Sequence, residues 1–213
     1  MGFAIAGANT RRMEPGTLAA HAARYVELAA CALAAAVAAG IPLGIAAARG
    51  GIARTPILAL ANAGRVIPGL AVLTFVIPIL GFGFAPALLA LALLGIAPIA
   101  ITTDVGLRSV PPPVVESARA MGLAPLQVFT RVEWPVALPI VFSGIRTAAT
   151  EVVAGAVLAS FIGAGGLGDD IQSGLQADLP GRLWSAVVLI AAIAFAAEAG
   201  LAALARRLSP ERA

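Results

Sequence analysis

Arg146 and Glu151 stand five residues apart in a stretch, Ile140 to Ile162, that is otherwise apolar enough to cross a bilayer. A charge inside a membrane span costs about 2.5–3.5 kcal/mol on insertion scales, so it needs a partner or a use. Thr147 and Thr150 fall on adjoining faces of the same helix. Two readings fit this group. It is a polar surface lining a translocation pathway, or it is an ion pair buried between spans with Arg65 as a partner. In an ion-coupled secondary transporter or channel Glu151 would instead be the proton or ion site. Other reactive residue types are scarce. One histidine, His21, and one cysteine, Cys31, are too few for a metal site of the usual ligand number. No metal site and no catalytic residue is expected. Cys31 reads as a buried, inert thiol, and His21 as solvated or facing headgroups. Gly163, Gly165, Gly166, Gly168 and Asp169 have the glycines of a phosphate loop. The chain has no lysine at all, and a Walker A loop needs one.

The composition dictates what must position these residues. Of 213 residues 60% are hydrophobic and only 12% charged, which places the chain among membrane proteins. The net charge of +3 comes from scattered arginines without an aromatic-basic stripe, so a nucleic-acid partner is rejected. The expected architecture is an all-α integral membrane protein with about five transmembrane helices. The first span is about Tyr25 to Ala48, with Tyr25 in the headgroup belt. An interfacial helix capped by Thr17 leads into it. Small residues around Pro42, from Gly40 to Gly44, suit close helix packing. The second span, about Pro56 to Leu80, is interrupted by Asn62, Arg65, Pro68 and Gly69, and such breaks are tolerated where they line a cavity. Asn62 and Pro68 are therefore candidate pathway residues with Thr147 and Glu151. Span three is about Pro86 to Thr103, span four Ile140 to Ile162, and span five Leu183 to Ala205. Arginine-rich and acid-rich connections alternate, which puts the N-terminus outside and the C-terminus inside, against the sense of Arg11 and Arg12.

Between spans three and four lies Pro111 to Pro139, where charges mix with apolar residues. Pro113 can serve as a first helical position, because its missing N–H would be unpaired there. Glu116 then falls in the first turn, where a carboxylate complements the helix dipole. Gly122 sits where a short helix stops. Pro125 can open a second short helix, which Trp134-Pro135 would end. The expected unit is helix, glycine turn, helix at a membrane surface.

Glu116-Ser117-Ala118, three residues, Gly122, nine residues, then Val132-Glu133-Trp134-Pro135 resembles the EAA loop of ABC importer membrane subunits. Ser117, Val132 and Trp134 depart from the family pattern. The resemblance implies that Glu116, Ser117, Ala118, Arg119, Gly122 and Pro135 form a cytoplasmic coupling element that docks on an ATPase subunit. Gly144-Ile145-Arg146-Thr147-Ala148, the run Ile162 to Asp169 and Asn62 to Leu70 add a more specific likeness. Together they are similar to permeases of osmoprotectant importers for glycine betaine, choline and related quaternary amines. Methionine importer permeases share the glycine-rich stretch and are the near alternative. Glu151 and Val157 depart from the osmoprotectant pattern.

What these resemblances imply is a multi-pass inner-membrane permease. A second permease subunit, homo- or heterodimeric, would complete the pathway. ATP and magnesium would be held by the ATPase partner and no cofactor by this chain. An extracytoplasmic substrate-binding protein would meet the external glycine-rich loop, Gly163 to Asp169. Residues 1–24 are then an N-terminal segment, 25–205 the transporter domain, and 206–213 a cytoplasmic tail. An ion-coupled secondary transporter using Glu151 is the rival class. No inverted repeat is visible, and five spans divide badly into halves.

Overall fold

The computed structural model describes residues 15–66, 77–78 and 81–208, and the side chains of all these except 15–17, 64–66 and 206–208. Among the described residues the elements are helical, with no strand. They are α1 (Pro15–Arg49), α2 (Arg54–Val66), α3 (Phe84–Arg108), α4 (Pro112–Ala120), α5 (Pro125–Val128), α6 (Trp134–Ala156), α7 (Leu167–Gln176) and α8 (Pro180–Leu208). A 3₁₀ turn at Gly51–Ala53 precedes α2, and another at Val157–Ile162 follows α6.

Four described helices are long and apolar enough to cross a membrane: Leu18–Arg49, Phe84–Arg108, Pro125–Ile162 and Pro180–Ala205. The expected second span is described as α2 up to Val66; its residues 67–76 and 79–80, Pro68 among them, and the side chain of Arg65 lie outside the described residues.

The core is a three-helix layer with α3 in the middle, packed against α1 on one side and α6 on the other. Tyr25, Leu28, Ala32 and Ala36 form the buried stripe of α1 at helical spacing. Small residues decide how close the helices come. A Cβ on Gly95 of α3 would stand 2.9 Å from Ala36 of α1 and 3.3 Å from Val152 of α6. One on Gly44 of α1 would meet the Thr103 side chain and lie 2.6 Å from the Ala100 carbonyl. The packing expected of Gly40 to Gly44 is thus present, and it is made against α3. Thr102 and Thr103 turn their hydroxyls onto the Pro98 and Ile99 carbonyls, at 2.8 and 2.7 Å. The Pro98 ring nitrogen carries no donor for its own helix.

Several expectations from the sequence are corrected. Tyr25 is not at a headgroup belt: it is 1% exposed and its hydroxyl donates to the Val153 carbonyl of α6. Cys31 is exposed rather than buried, because it lies off the α1 stripe. Thr17 does not mark the start of the first helix, since α1 already begins at Pro15 and runs unbroken to Arg49. Trp134-Pro135 does not end a helix. Helix continues from Pro125 to Ile162, through a five-residue π segment at Phe129–Glu133. Pro135 has no N–H for the Arg131 carbonyl and would crowd it, and the wider turn relieves both. The Trp134 N–H reaches back to the Phe129 carbonyl.

The packing at Gly144 generates a test. A side chain there would strike Thr102 and stand 2.8 Å from the Pro98 carbonyl. Gly144→Val should cost about 1–3 kcal/mol by overpacking and lower the unfolding midpoint of the purified protein in detergent. Gly200→Val, in open space on α8, should not. Equal midpoints would show that α3 and α6 do not meet this closely.

Candidate functional site

The helix ends sort into two groups. Arg49, Arg54, Arg108, the α4 turn and Glu133 gather at one end of the bundle; His21, Arg24, Asp170 and Arg182 gather at the other.

At the first end, α4 begins one residue earlier than expected, at Pro112, with Pro111 extended at φ −62° and ψ 130°. Both Pro112 and Pro113 fit, because first-turn N–H groups have no partner in any helix. Glu116 therefore lies in the second turn, beyond the reach of the helix dipole assumed for it. It is exposed, as are Ser117 and Arg119. Ser117 Oγ donates to the Pro113 carbonyl at 2.7 Å. Ala118 is 2% exposed and fastens α4 to the structure beneath it.

Gly122 has φ +83°, a left-handed conformation that costs a side chain roughly 1–2 kcal/mol. Its N–H donates to the Arg119 carbonyl and the Leu123 N–H to the Ala118 carbonyl, so the last turn is closed. Ala124 N–H is capped by Gln127 Oε1 at 3.0 Å, and Pro125 opens the next helix. Met121 and Leu126 stand 74% and 72% exposed on either side of the turn. Beneath lies a cavity of about 280 Å³ lined by Arg49, Arg108, Arg119 and Glu133 among others. The Arg49 guanidinium sits 4.7 Å from the Phe129 ring centre and 3.4 Å from Glu133. Pro135 is the second residue of α6, below this surface.

Within the span, Arg146 of α6 pairs with Glu198 of α8. The pair lies in an open cleft of about 680 Å³ lined by Ser143, Thr147, Thr150 and Phe195. Thr147 and Thr150 thus belong with Arg146, as their spacing suggests. Their hydroxyls bond the Ser143 and Arg146 carbonyls, each at 3.1 Å. Glu151 is half-buried and not among the residues lining the cleft. Asn62 is half-buried on α2 and not among the residues lining the cleft. The partner of Arg146 lies 52 residues away, and only tertiary structure names it.

At the second end, Gly163, Gly165 and Gly166 adopt φ +70°, +80° and +102°. These values allow the chain to turn sharply from the 3₁₀ segment into α7, with Gly166 pressed on the Tyr25 backbone. Gly168 lies inside α7, backed by Val157 and Ser160. Burial holds the Asp169 carboxyl above the usual carboxylate range; Asp170 adds to this, and His21 and Arg182 oppose it. The neighbour that the sequence reading passed over, Asp170, is 2% exposed. Arg182 Nε and Nη2 reach its Oδ1 at 2.9 and 2.7 Å, and His21 Nδ1 lies 2.7 Å from Oδ2. His21 is therefore a bonding partner, not a solvated residue. This one carboxylate ties α1, α7 and α8.

Asp104 was also missed. It is fully buried and takes three bonds from Arg54, at 2.7 to 3.1 Å, joining α2 to α3. An acid within a span is a sequence signal in itself, although its partner is not. Among the described residues no group of three or more histidine, cysteine or acidic side chains could hold a metal ion.

Comparison with known proteins places the chain. Residues 40–210 match the family model described as binding-protein-dependent transport system inner membrane component. The chain is 36% identical over 187 residues to the carnitine transport permease protein OpuCB of Listeria monocytogenes, covering 88% of this chain and 85% of the relative. It is 36% identical over 170 residues to the choline transport system permease protein OpuBB of Bacillus subtilis (strain 168), covering 80% and 78%. A solved structure titled as an inward-facing conformation of the MetNI methionine ABC transporter shares the fold. Its TM-score is 0.79 at 23% identity, over 91% of this chain and 97% of that one.

The Asp170 junction can be tested without reference to activity. Breaking a buried pair by removing one partner costs about 3–5 kcal/mol. His21 and Arg182 are each about a third exposed, so Asp170→Asn should fall at the low end of that range. It should lower the unfolding midpoint, whereas exposed Asp178→Asn should not. Equal midpoints would remove Asp170 as the tie.

Proposed function

The chain belongs to the family of binding-protein-dependent transport system inner membrane components, and on that premise we propose that it is the pathway-forming permease subunit of an ATP-driven importer for a small osmoprotectant such as glycine betaine or choline. The observation that carries the substrate class is the likeness, over four fifths or more of the chain, to permeases named for carnitine and choline. ATP hydrolysis belongs to a separate ATPase subunit. The α4 surface with Glu116, Ser117, Ala118, Arg119 and Gly122, backed by Pro135, is its docking element. The exposed Met121 and Leu126 support this, because a polar, solvated loop has no need of them.

Arg49, Arg54, Arg108, Arg119 and Arg131 outnumber the acids at this end, which supports a cytoplasmic position. The glycine-rich end, Gly163 to Asp169, then faces outward to a substrate-binding protein, with the C-terminus inside. A second permease subunit completes the pathway, to which Asn62, Pro68, Thr147 and Glu151 contribute. Residues 1–24 and 206–213 flank this transporter unit on the two sides of the cell membrane.

Reconstitution with the ATPase and binding protein tests this reading. Uptake of labelled glycine betaine and choline should require ATP and survive collapse of the proton gradient, with Glu151→Gln still active. Uptake that stops with the gradient while ATP is maintained points to the secondary-transporter class. Preference for methionine overturns the substrate. Gly122→Val and Glu116→Arg should reach normal membrane levels but lose substrate-stimulated ATP hydrolysis. Wild-type rates in both would dismiss the loop as the coupling element.

A further inference from the structure

The Arg146–Glu198 pair has an unusual position for two full charges within spans. A charged pair enclosed in a span is stable only when its remaining donors and acceptors are satisfied as well. Here the two side chains are 39% and 43% exposed, on facing walls of the cleft between α6 and α8. Arg146 Nε is buried and takes no partner among the described residues. The guanidinium thus meets one carboxylate through Nη2, while its buried Nε–H is not available to a ligand in the cleft.

The opposite wall has complementary chemistry. Phe195 is 76% exposed in the cleft and lies one turn before Glu198, on the same face of α8. An aromatic face beside a carboxylate suits a quaternary ammonium, which offers charge but no N–H to bond. The hydroxyls of Ser143, Thr147 and Thr150 already donate to helix carbonyls. Arg146 is therefore the charged donor of this cleft. Its volume of about 680 Å³ lies within the roughly 300–1,000 Å³ of small-molecule sites.

We propose that this cleft is a transit subsite for a small zwitterion, with Arg146 taking the carboxylate and Glu198 with Phe195 taking the quaternary ammonium. The inference rests on the transport reading above and deepens it. The substrate enters by partner exchange. Its carboxylate replaces Glu198 on Arg146, and its cation replaces Arg146 on Glu198. Neither protein charge is left bare within the span, and the pair re-forms when the substrate leaves. The permease thereby acquires a selectivity of its own, for carboxylated over purely cationic substrates.

The test uses the whole complex, with ATPase and binding protein, in proteoliposomes, and reads initial uptake of glycine betaine against choline. Arg146→Gln should lower glycine betaine uptake about tenfold or more, as expected for losing a charged hydrogen bond. Choline, which carries no carboxylate and brings a cation to Glu198, should fall far less. Glu198→Gln and Phe195→Leu should lower both substrates, because both carry the ammonium. If Arg146→Gln does not accumulate in the membrane, Arg146→Lys gives the same readout, with a smaller shift in the same direction. An equal loss of both substrates overturns the subsite. So does wild-type uptake of both by the double variant Arg146→Gln with Glu198→Gln, which leaves neither charge in the cleft for the substrate. If the wild-type complex imports neither compound, the transport reading fails, and the subsite fails with it.

Discussion

A charge removed from water must be met by an opposite charge or by hydrogen bonds, at a cost of several kcal/mol when it is not. In this chain that requirement selects the joints of the bundle. Asp104, fully buried, draws Arg54 from the start of α2 onto α3. Asp170, almost fully buried, draws His21 of α1 and Arg182 of α8 onto α7. Both acids use both carboxylate oxygens, so each joint is fixed in direction as well as in charge. Between them the helices approach through alanine and glycine, where burying large apolar side chains would gain little in a lipid environment. The joints set which helices meet, and the small residues set how closely.

The third pair differs in the exposure of its acid, 43% against 0% and 3% for Asp104 and Asp170. Arg146 and Glu198 face an open cleft instead of the core. Helix α6 continues the segment that starts at Pro125, next to the Gly122 turn, and helix persists to Ile162, next to the glycine-rich loop. At 1.5 Å per residue this is a rod of roughly 55 Å. It passes the cleft on its way from one end of the bundle to the other. Displacement of the α4 surface can therefore reach the cleft and the far loop along one covalent element. The π segment at Phe129–Glu133 and the 3₁₀ segment at Val157–Ile162 are where that rod departs from the α-helix.

Much of this was legible in the sequence, for physical reasons. Long apolar runs give the spans, since only a helix satisfies its own backbone in lipid. The Gly122 turn was legible because a glycine between two charged, proline-opened helices has few other uses. The small-residue stripe of Gly40 to Gly44 was legible too. What escaped were relations between distant positions. Nothing in the local sequence says that Tyr25 turns inward to the Val153 carbonyl, or that His21 meets Asp170 across 149 residues. Asp169 drew attention by its place in a motif, while the buried ion is its neighbour. Trp134-Pro135 read as a stop because proline forbids an ordinary α-turn; a π turn supplies a way round that propensity rules leave out. Glu116 moved from first turn to second because two adjacent prolines can both occupy a helix start.

The central claim is that the α4–Gly122 surface meets the ATPase subunit. Its most direct test uses the single native cysteine. In a Cys31→Ser background, Ala120→Cys carries a photoactivated cross-linker, and Leu175→Cys, exposed at the opposite end, carries the same label. In the assembled complex, illumination should join the ATPase subunit to position 120 and not to position 175. An ATPase adduct at 175, or none at 120 while the two subunits copurify, would contradict the account.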